Sequence, residues 1–328
     1  MRVLVLGGTG FIGRHAAAAL RERGHAVVIG TRRPKRAWHK LPEALRAEFS
    51  GFELRETHLE FLTTRYCWEP LLRDVDVVVN AVGILRERGQ ETYDRVHNMA
   101  PTALAIACER QQLRLIHVSA LGLRPQALSR FIRSKILAER AIAAGGADYS
   151  IVRPSLLDGE GGFGAGWIRR VARWPVHFIP VEALGRMAPL DVRDLGEAIA
   201  ALCEAHDRAE WREVELGGST RRTMAEYLAS MRALHSDRRA LRVPVPRFLA
   251  RLTAHLCDLA HFSPFSFGHL ELLRRDNAPR PNLLPALLGR APTPVGGHAP
   301  APVVGRAPSY AFTAMPTGHE TPVPPSPQ

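Results

Sequence analysis

Lysine is almost missing from this chain. Of 44 basic residues only three, Lys35, Lys40 and Lys135, are lysines, and the rest are arginines. Cysteine is scarce too. Cys67, Cys108, Cys203 and Cys257 stand far apart, with no CxxC pair and no His cluster at ligand spacing, so neither a metal site nor a disulfide framework is expected. Reduced thiols point to a cytoplasmic location. No apolar run approaches ~18 residues, which excludes a spanning helix but leaves peripheral membrane contact open. The apolar start Val3–Leu6 is cut by Gly7 and Gly8, too soon for a signal-peptide core. No helix-turn-helix or zinc-finger signature accompanies the net charge of +12, so specific nucleic-acid binding is not expected. Phosphates, anionic lipid and acidic partners stay open.

What is present is ordinary for a folded protein: 328 residues, 46% of them hydrophobic and 23% charged. A chain of this length buries well over half of its unfolded surface. Proline is unevenly spread, with 10 of 25 between Pro292 and Pro327. From about residue 291 the Pro, Gly, Ala and Thr content cannot support a core, and a disordered tail over 291–328 is expected.

Short apolar runs alternate with amphipathic ones in the first half. Val3–Leu6, Ala26–Ile29, Phe52–Arg55, Val75–Val82, Leu113–Val118 and Ser150–Val152 read as strands. Gly10–Gly24, Pro42–Phe49, Trp68–Arg73, Glu91–Arg110 and Ser129–Ala144 read as helices. Buried strands in a βαβ rhythm imply an α/β fold, a doubly wound parallel sheet with helices on both faces. The nucleotide-binding part is expected over 1–157 and a smaller mixed C-terminal lobe over 158–290. In that lobe Gly159–Gly166 is a candidate lid, and Asp194 sits near a helix start, where a carboxylate suits the dipole.

The strongest motif is Gly7-Gly8-Thr9-Gly10-Phe11-Ile12-Gly13, which follows a strand and opens a helix. Gly7 allows a tight turn, Gly10 lets the backbone approach a pyrophosphate, and Gly13 lets helix press on strand. The helix N-terminus offers its free N–H groups to phosphate. At the end of the second strand, where an NAD site places a carboxylate on the ribose, the chain carries Thr31-Arg32-Arg33. Guanidinium groups pair with a 2′-phosphate, so NADP(H) is expected ahead of NAD(H), held by Arg32 and Arg33. The plainer alternative is a solvated basic loop.

GGTGFIG, VVNAVGIL (Val78–Leu85), HVSALG (His117–Gly122), RSK (Arg133–Lys135) and VRPS (Val152–Ser155) follow in that order. Together with PLDVRD (Pro189–Asp194) and VELGG (Val214–Gly218), they resemble an atypical short-chain dehydrogenase/reductase of the epimerase/dehydratase-like Rossmann type. The resemblance covers about residues 1–290. It is strongest to the branch containing the Rossmann-type accessory subunit of respiratory complex I and its bacterial relatives. It implies that Ala81, Val82 and Gly83 line the adenosine and nicotinamide ribose, that Glu60 stands near the adenine, and that Ser119 closes the fifth strand. It further implies that Lys135 bonds the nicotinamide ribose and that Arg153, Pro154 and Ser155 lie beside the nicotinamide.

The departures bear on activity. Active members of that superfamily carry a Tyr four residues before the Lys; here the position is Phe131, which has no proton to give. The usual catalytic hydroxyl falls at Leu121. Tyr93, His97 and Tyr149 are substitutes to test, with His97 placed on the helix facing the cofactor. Two function classes follow. One is a reductase for a carbonyl or quinone with a non-standard acid. The other is a non-catalytic NADPH-binding protein that senses redox state or assists a respiratory or quinone-related membrane assembly. A stripe of Phe248, Leu249, Leu252, Leu256 and Leu259 beside Arg247 and Arg251 reads as core or, alternatively, as a face for anionic lipid or a membrane protein.

Overall fold

In a computed structural model of the chain, the described residues are 1–34, 51–206, 209–260 and 266–296. A strand–helix–strand step opens the fold, β1 (Arg2–Leu6), α1 (Phe11–Glu22) and β2 (Ala26–Thr31), and the next described strand is β3 (Glu53–Glu56). A one-turn α2 (Arg65–Trp68) leads to β4 (Val77–Asn80). A π-helical turn, Asp94–Met99, then runs into α3 (Ala100–Gln111), followed by β5 (Arg114–Val118), α4 (Arg130–Ala144) and β6 (Asp148–Pro154). The helix expected over 42–49 lies outside the described residues.

Seven strands form one parallel sheet in the order β11-β6-β5-β4-β1-β2-β3, with β11 (Glu213–Leu216) at one edge. This is the doubly wound Rossmann arrangement expected. Alternating residues explain the unbroken apolar strands. Val3, Val5, Val77 and Val79 face one buried cluster, while Leu4, Leu6 and Val78 face the other. Strand order reverses between β1 and β4, which opens a crevice at their C-terminal ends.

Beyond β6 come the short β7 (Leu157–Asp158), α5 (Phe163–Ala172), β8 (Val176–Pro180), β9 (Arg186–Met187), β10 (Leu190–Asp191) and α6 (Val192–Glu204). After β11 follow β12 (Arg222–Thr223), α7 (Met224–Ala233), β13 (Leu241–Val245), α8 (Arg247–Ala260), α9 (Phe267–Leu273) and α10 (Leu284–Leu288). The 158–290 segment therefore supplies sheet as well as lobe. β11 extends the sheet beside β6, and Gly196 of α6 brings that helix against the α1 backbone, where a Cβ would meet the His15 carbonyl at 2.6 Å.

Asp191, not Asp194, caps α6, accepting the Arg193 N–H at 2.8 Å. Asp194 is buried one turn on and binds Arg290 (2.9 Å), the Thr293 N–H (2.6 Å) and the Thr293 hydroxyl (2.8 Å). The disorder expected from about 291 does not hold for the first residues of that segment. Thr293 is tied down and Val295 is buried, while residues 297–328 lie outside the described residues. Half of the candidate lid is helix: Phe163 opens α5, and the loop before it packs Gly162 on the Phe11 ring.

Candidate functional site

One cavity of about 570 Å³ occupies the crevice, lined by Gly7, Thr9, Gly10, Phe11 and Ile12 at one end and by lobe residues at the other. The turn after β1 is built for close approach. Gly7 sits at φ +71°, where side chains strain, and a Cβ on Gly13 would lie 2.3 Å from the Gly7 carbonyl. Gly13 is thus the press point of helix on strand, while Gly7 and Gly10 face the cavity. Gly10 is the N-cap of α1 and offers no side-chain cap, so the first N–H groups are left for a ligand.

Thr31 and Arg32 also line the cavity, and the Thr9 and Thr31 hydroxyls lie 3.2 Å apart. Arg33 is exposed and lies outside the lining. Arg32 forms an ion pair with Glu91, a second lining residue, so a carboxylate does stand near the expected 2′-phosphate position. It comes from a distant loop, where nothing in the residues after β2 announced it. Glu60 is buried at the same rim, with His58 Nδ1 at 3.2 Å from its carboxylate.

The loop after β4 is pinned at both ends. Asn80 Oδ1 accepts the Val82 N–H at 3.2 Å, and His97 Nε2 accepts the Ile84 N–H at 3.0 Å. Ala81, Val82 and Gly83 are thereby held against the cavity. His97 itself is not in the lining. Its Nε2 is spent as an acceptor, and burial together with the Lys135 charge pushes its pKa well below the ordinary value. It positions the loop; the proton-donor role expected for it does not fit. Tyr149 is buried in the core, and Tyr93 donates its hydroxyl to the Leu85 carbonyl at 2.8 Å, so neither serves as the acid.

Ser119, Lys135, Pro154 and Ser155 meet in the same cavity. Ser119 Oγ is buried without a hydrogen-bond partner among the described residues, an atom waiting for a ligand. Lys135 is buried, and desolvation brings its ammonium down to about 8. The carboxylate one turn on, Glu139, does not pair with it, because Arg153 takes Glu139 at 2.7 Å. Arg153 also binds Glu213 at 2.7 Å and so faces away from the nicotinamide position expected for it. Ser155 is structural as well as lining: its Oγ donates to the Asn277 carbonyl at 2.6 Å and accepts the Ala188 N–H at 3.0 Å.

One lining residue was not foreseen. His269 of α9 stacks on Phe131, ring centroids 5.7 Å apart, and Lys135 Nζ lies 5.8 Å from the centre of the same ring. Ser266 Oγ accepts the His269 N–H at 3.1 Å and lies 2.5 Å from Nδ1. The arrangement that satisfies both groups has the hydroxyl donate to Nδ1, which leaves the ring proton on Nε2. Burial lowers the His269 pKa to about 4, so the ring is neutral at physiological pH. No pattern in the chain points to it, since 138 positions separate it from Phe131. Beyond this trio the cavity is mostly apolar, lined by Phe163, Trp167, Ile168, Met187, Met224, Leu272 and Leu273. Asn277 Oδ1, also in the lining, is buried and unpartnered among the described residues.

Comparison with known proteins agrees with this geometry. The model of the NAD dependent epimerase/dehydratase family matches residues 3–217. A ceramide reductase of Caulobacter vibrioides is 29% identical over 203 residues, covering 61% of this chain and 60% of that protein. NADH dehydrogenase [ubiquinone] 1 alpha subcomplex subunit 9 of Arabidopsis thaliana is 26% identical over 263 residues, 74% of this chain and 60% of that one. The chain thus spans about 60% of the length of these two relatives. Among solved structures, a nucleoside-diphosphate-sugar epimerase of Staphylococcus aureus superposes with a TM-score of 0.69 at 16% identity, over 90% of this chain and 98% of that one. A UDP-glucuronic acid 4-epimerase of Bacillus cereus, solved with UDP-glucuronic acid and NAD, superposes at 0.62 with 17% identity, over 90% and 95%. Both share its fold. The glycine cradle, the uncapped helix start and the orphaned Ser119 hydroxyl fit a nicotinamide dinucleotide, and the chain belongs to the NAD-dependent epimerase/dehydratase family.

Proposed function

We propose that the protein reduces a carbonyl on an apolar, lipid-like substrate with hydride from NADPH. The observation that carries this reading is the continuity of one cavity from the glycine cradle to an apolar chamber, with Lys135 and His269 against the same Phe131 ring. The ceramide reductase relative supports a lipid-sized substrate. Arg32 supports the phosphorylated dinucleotide, once a 2′-phosphate replaces Glu91 as its partner.

When bound, the dinucleotide supplies the hydride. The chain's own residues do the rest. Gly7, Gly10 and the α1 N-terminus would hold the diphosphate, and Ser119 and Lys135 would orient its reacting end. His269 Nε2–H donates a hydrogen bond to the carbonyl oxygen, which draws electron density from the carbonyl carbon. As the C–H bond forms, the C=O π pair moves to oxygen. That oxygen takes a proton from the Lys135 ammonium, and solvent restores it. A lysine near 8 is suited to this transfer, which an unperturbed amine performs less readily.

Phe131 favours a second reading, a dinucleotide-binding accessory protein in a respiratory or quinone-related assembly, as the alpha subcomplex subunit 9 relatives support. One experiment separates the two. The purified protein is mixed with NADPH and long-chain ketones, aldehydes or quinones, and dinucleotide oxidation and binding are both followed. Oxidation with a long-chain ketone is expected. Tight dinucleotide binding with no oxidation across the panel would establish the accessory reading instead.

A further inference from the structure

Helix α8 is inside out. Its small residues, Ala250 and Ala254, are buried against Leu270, Val245 and Phe267, while its large apolar residues face outward. Phe248 is 68% exposed, Leu252 54% and Leu256 53%. The expectation of a core stripe fails here, because the helix packs through the alanine row beside the leucines; Leu259 lies outside the described side chains. The strand leading into α8 continues the pattern. Leu241 of β13 and Phe178 of β8 are exposed on one face of a two-stranded parallel sheet.

The charge along this stretch is mainly positive, with Asp237 just before it. Residues 238–257 contain Arg238, Arg239, Arg242, Arg247 and Arg251 and no carboxylate. All five arginines are exposed, and none pairs with a carboxylate among the described residues. The first acid beyond them, Asp258, is occupied by Arg86 at 3.3 Å and by the Phe267 N–H at 3.1 Å. Exposed large hydrophobics interleaved with unpaired arginines on a helix are the composition of a surface that lies in a lipid headgroup layer.

We propose that α8, with β13, docks this protein on an anionic bilayer surface. Phe248, Leu252 and Leu256 enter the headgroup boundary and the arginines pair with lipid phosphates. The buried side of α8 holds α9, whose His269, Leu272 and Leu273 line the main cavity, so docking sets the cavity wall one helix away from the lipid. The attachment does not require turnover and stands or falls apart from the reductase reading.

The test is co-sedimentation of the full chain with vesicles of phosphatidylglycerol and phosphatidylcholine, against vesicles of phosphatidylcholine alone. Binding to the anionic vesicles is expected, weakened by salt, and absent from the neutral ones. The double variant Arg247→Glu/Arg251→Glu is expected to lower partitioning roughly 10-fold or more, and Phe248→Ser/Leu252→Ser comparably, with dinucleotide binding kept as the control for folding. Absence of wild-type binding to anionic vesicles at low salt would overturn the proposal, as would equal binding by wild type and both variants. A dimer in sedimentation velocity that dissolves in Phe248→Ser/Leu252→Ser, without vesicle binding, would assign the face to a second copy of this chain and also overturn it.

Discussion

The two ends of the cavity are constructed on different principles. The cradle end is made of backbone and of contiguous residues, seven positions from Gly7 to Gly13, and tolerates almost no added atoms. The opposite end, where the proposed proton transfer would occur, is assembled from α4 and α9, far apart in the chain, and holds Phe131, a ring without a hydroxyl. The cradle is specified residue by residue along the chain, and the opposite end is not.

The sharpest break is expected from Gly13→Val. Its Cβ meets the Gly7 carbonyl at 2.3 Å, so α1 must leave β1. Overpacking of this kind costs about 1–3 kcal/mol of stability, read from denaturant midpoints, and dinucleotide binding should disappear. At the other end, Lys135→Met should lower the rate by about 10²–10⁴-fold while dinucleotide binding weakens far less, which a fluorescence titration beside the assay will separate. For wild type, the reductive rate should fall as pH rises through about 8, because the protonated amine is the reactive form and burial sets its pKa there. A flat profile through that region would remove Lys135 as the proton source. His269→Phe keeps the stack on Phe131 but loses the Nε2 donor; a loss of about 10²-fold in kcat is expected, with Phe131→Tyr restoring rate in that background. The smallest effect is Glu91→Gln, which frees Arg32 and should tighten NADPH by roughly 5-fold with NADH unchanged.

Much of the cradle and sheet was legible beforehand. A parallel strand covered on both faces must be apolar throughout, as Val77–Asn80 nearly is, and a strand–glycine–helix elbow has few other uses. Lys135 stood out through the family resemblance of Arg133–Lys135 and as a rare lysine among arginines, and it does line the cavity. His97 misled because an imidazole near the cofactor loop looks the same in sequence whether it donates a proton or, as here, accepts the Ile84 N–H. Arg153 misled because its partners, Glu139 and Glu213, come from other elements.

The order of residues sufficed for whatever depends on neighbours along the chain: the turn at Gly7, the alternating valines of the sheet, the turn-spaced Phe131 and Lys135. Backbone sterics and hydrophobic period act over a few positions and leave a readable trace. Only the folded molecule decided that His269 lies on Phe131, that Glu91 meets Arg32, and that α8 buries its alanines and presents its leucines. Periodicity shows that a helix has an apolar face; which surface covers that face depends on how distant segments pack, and no local rule carries that information.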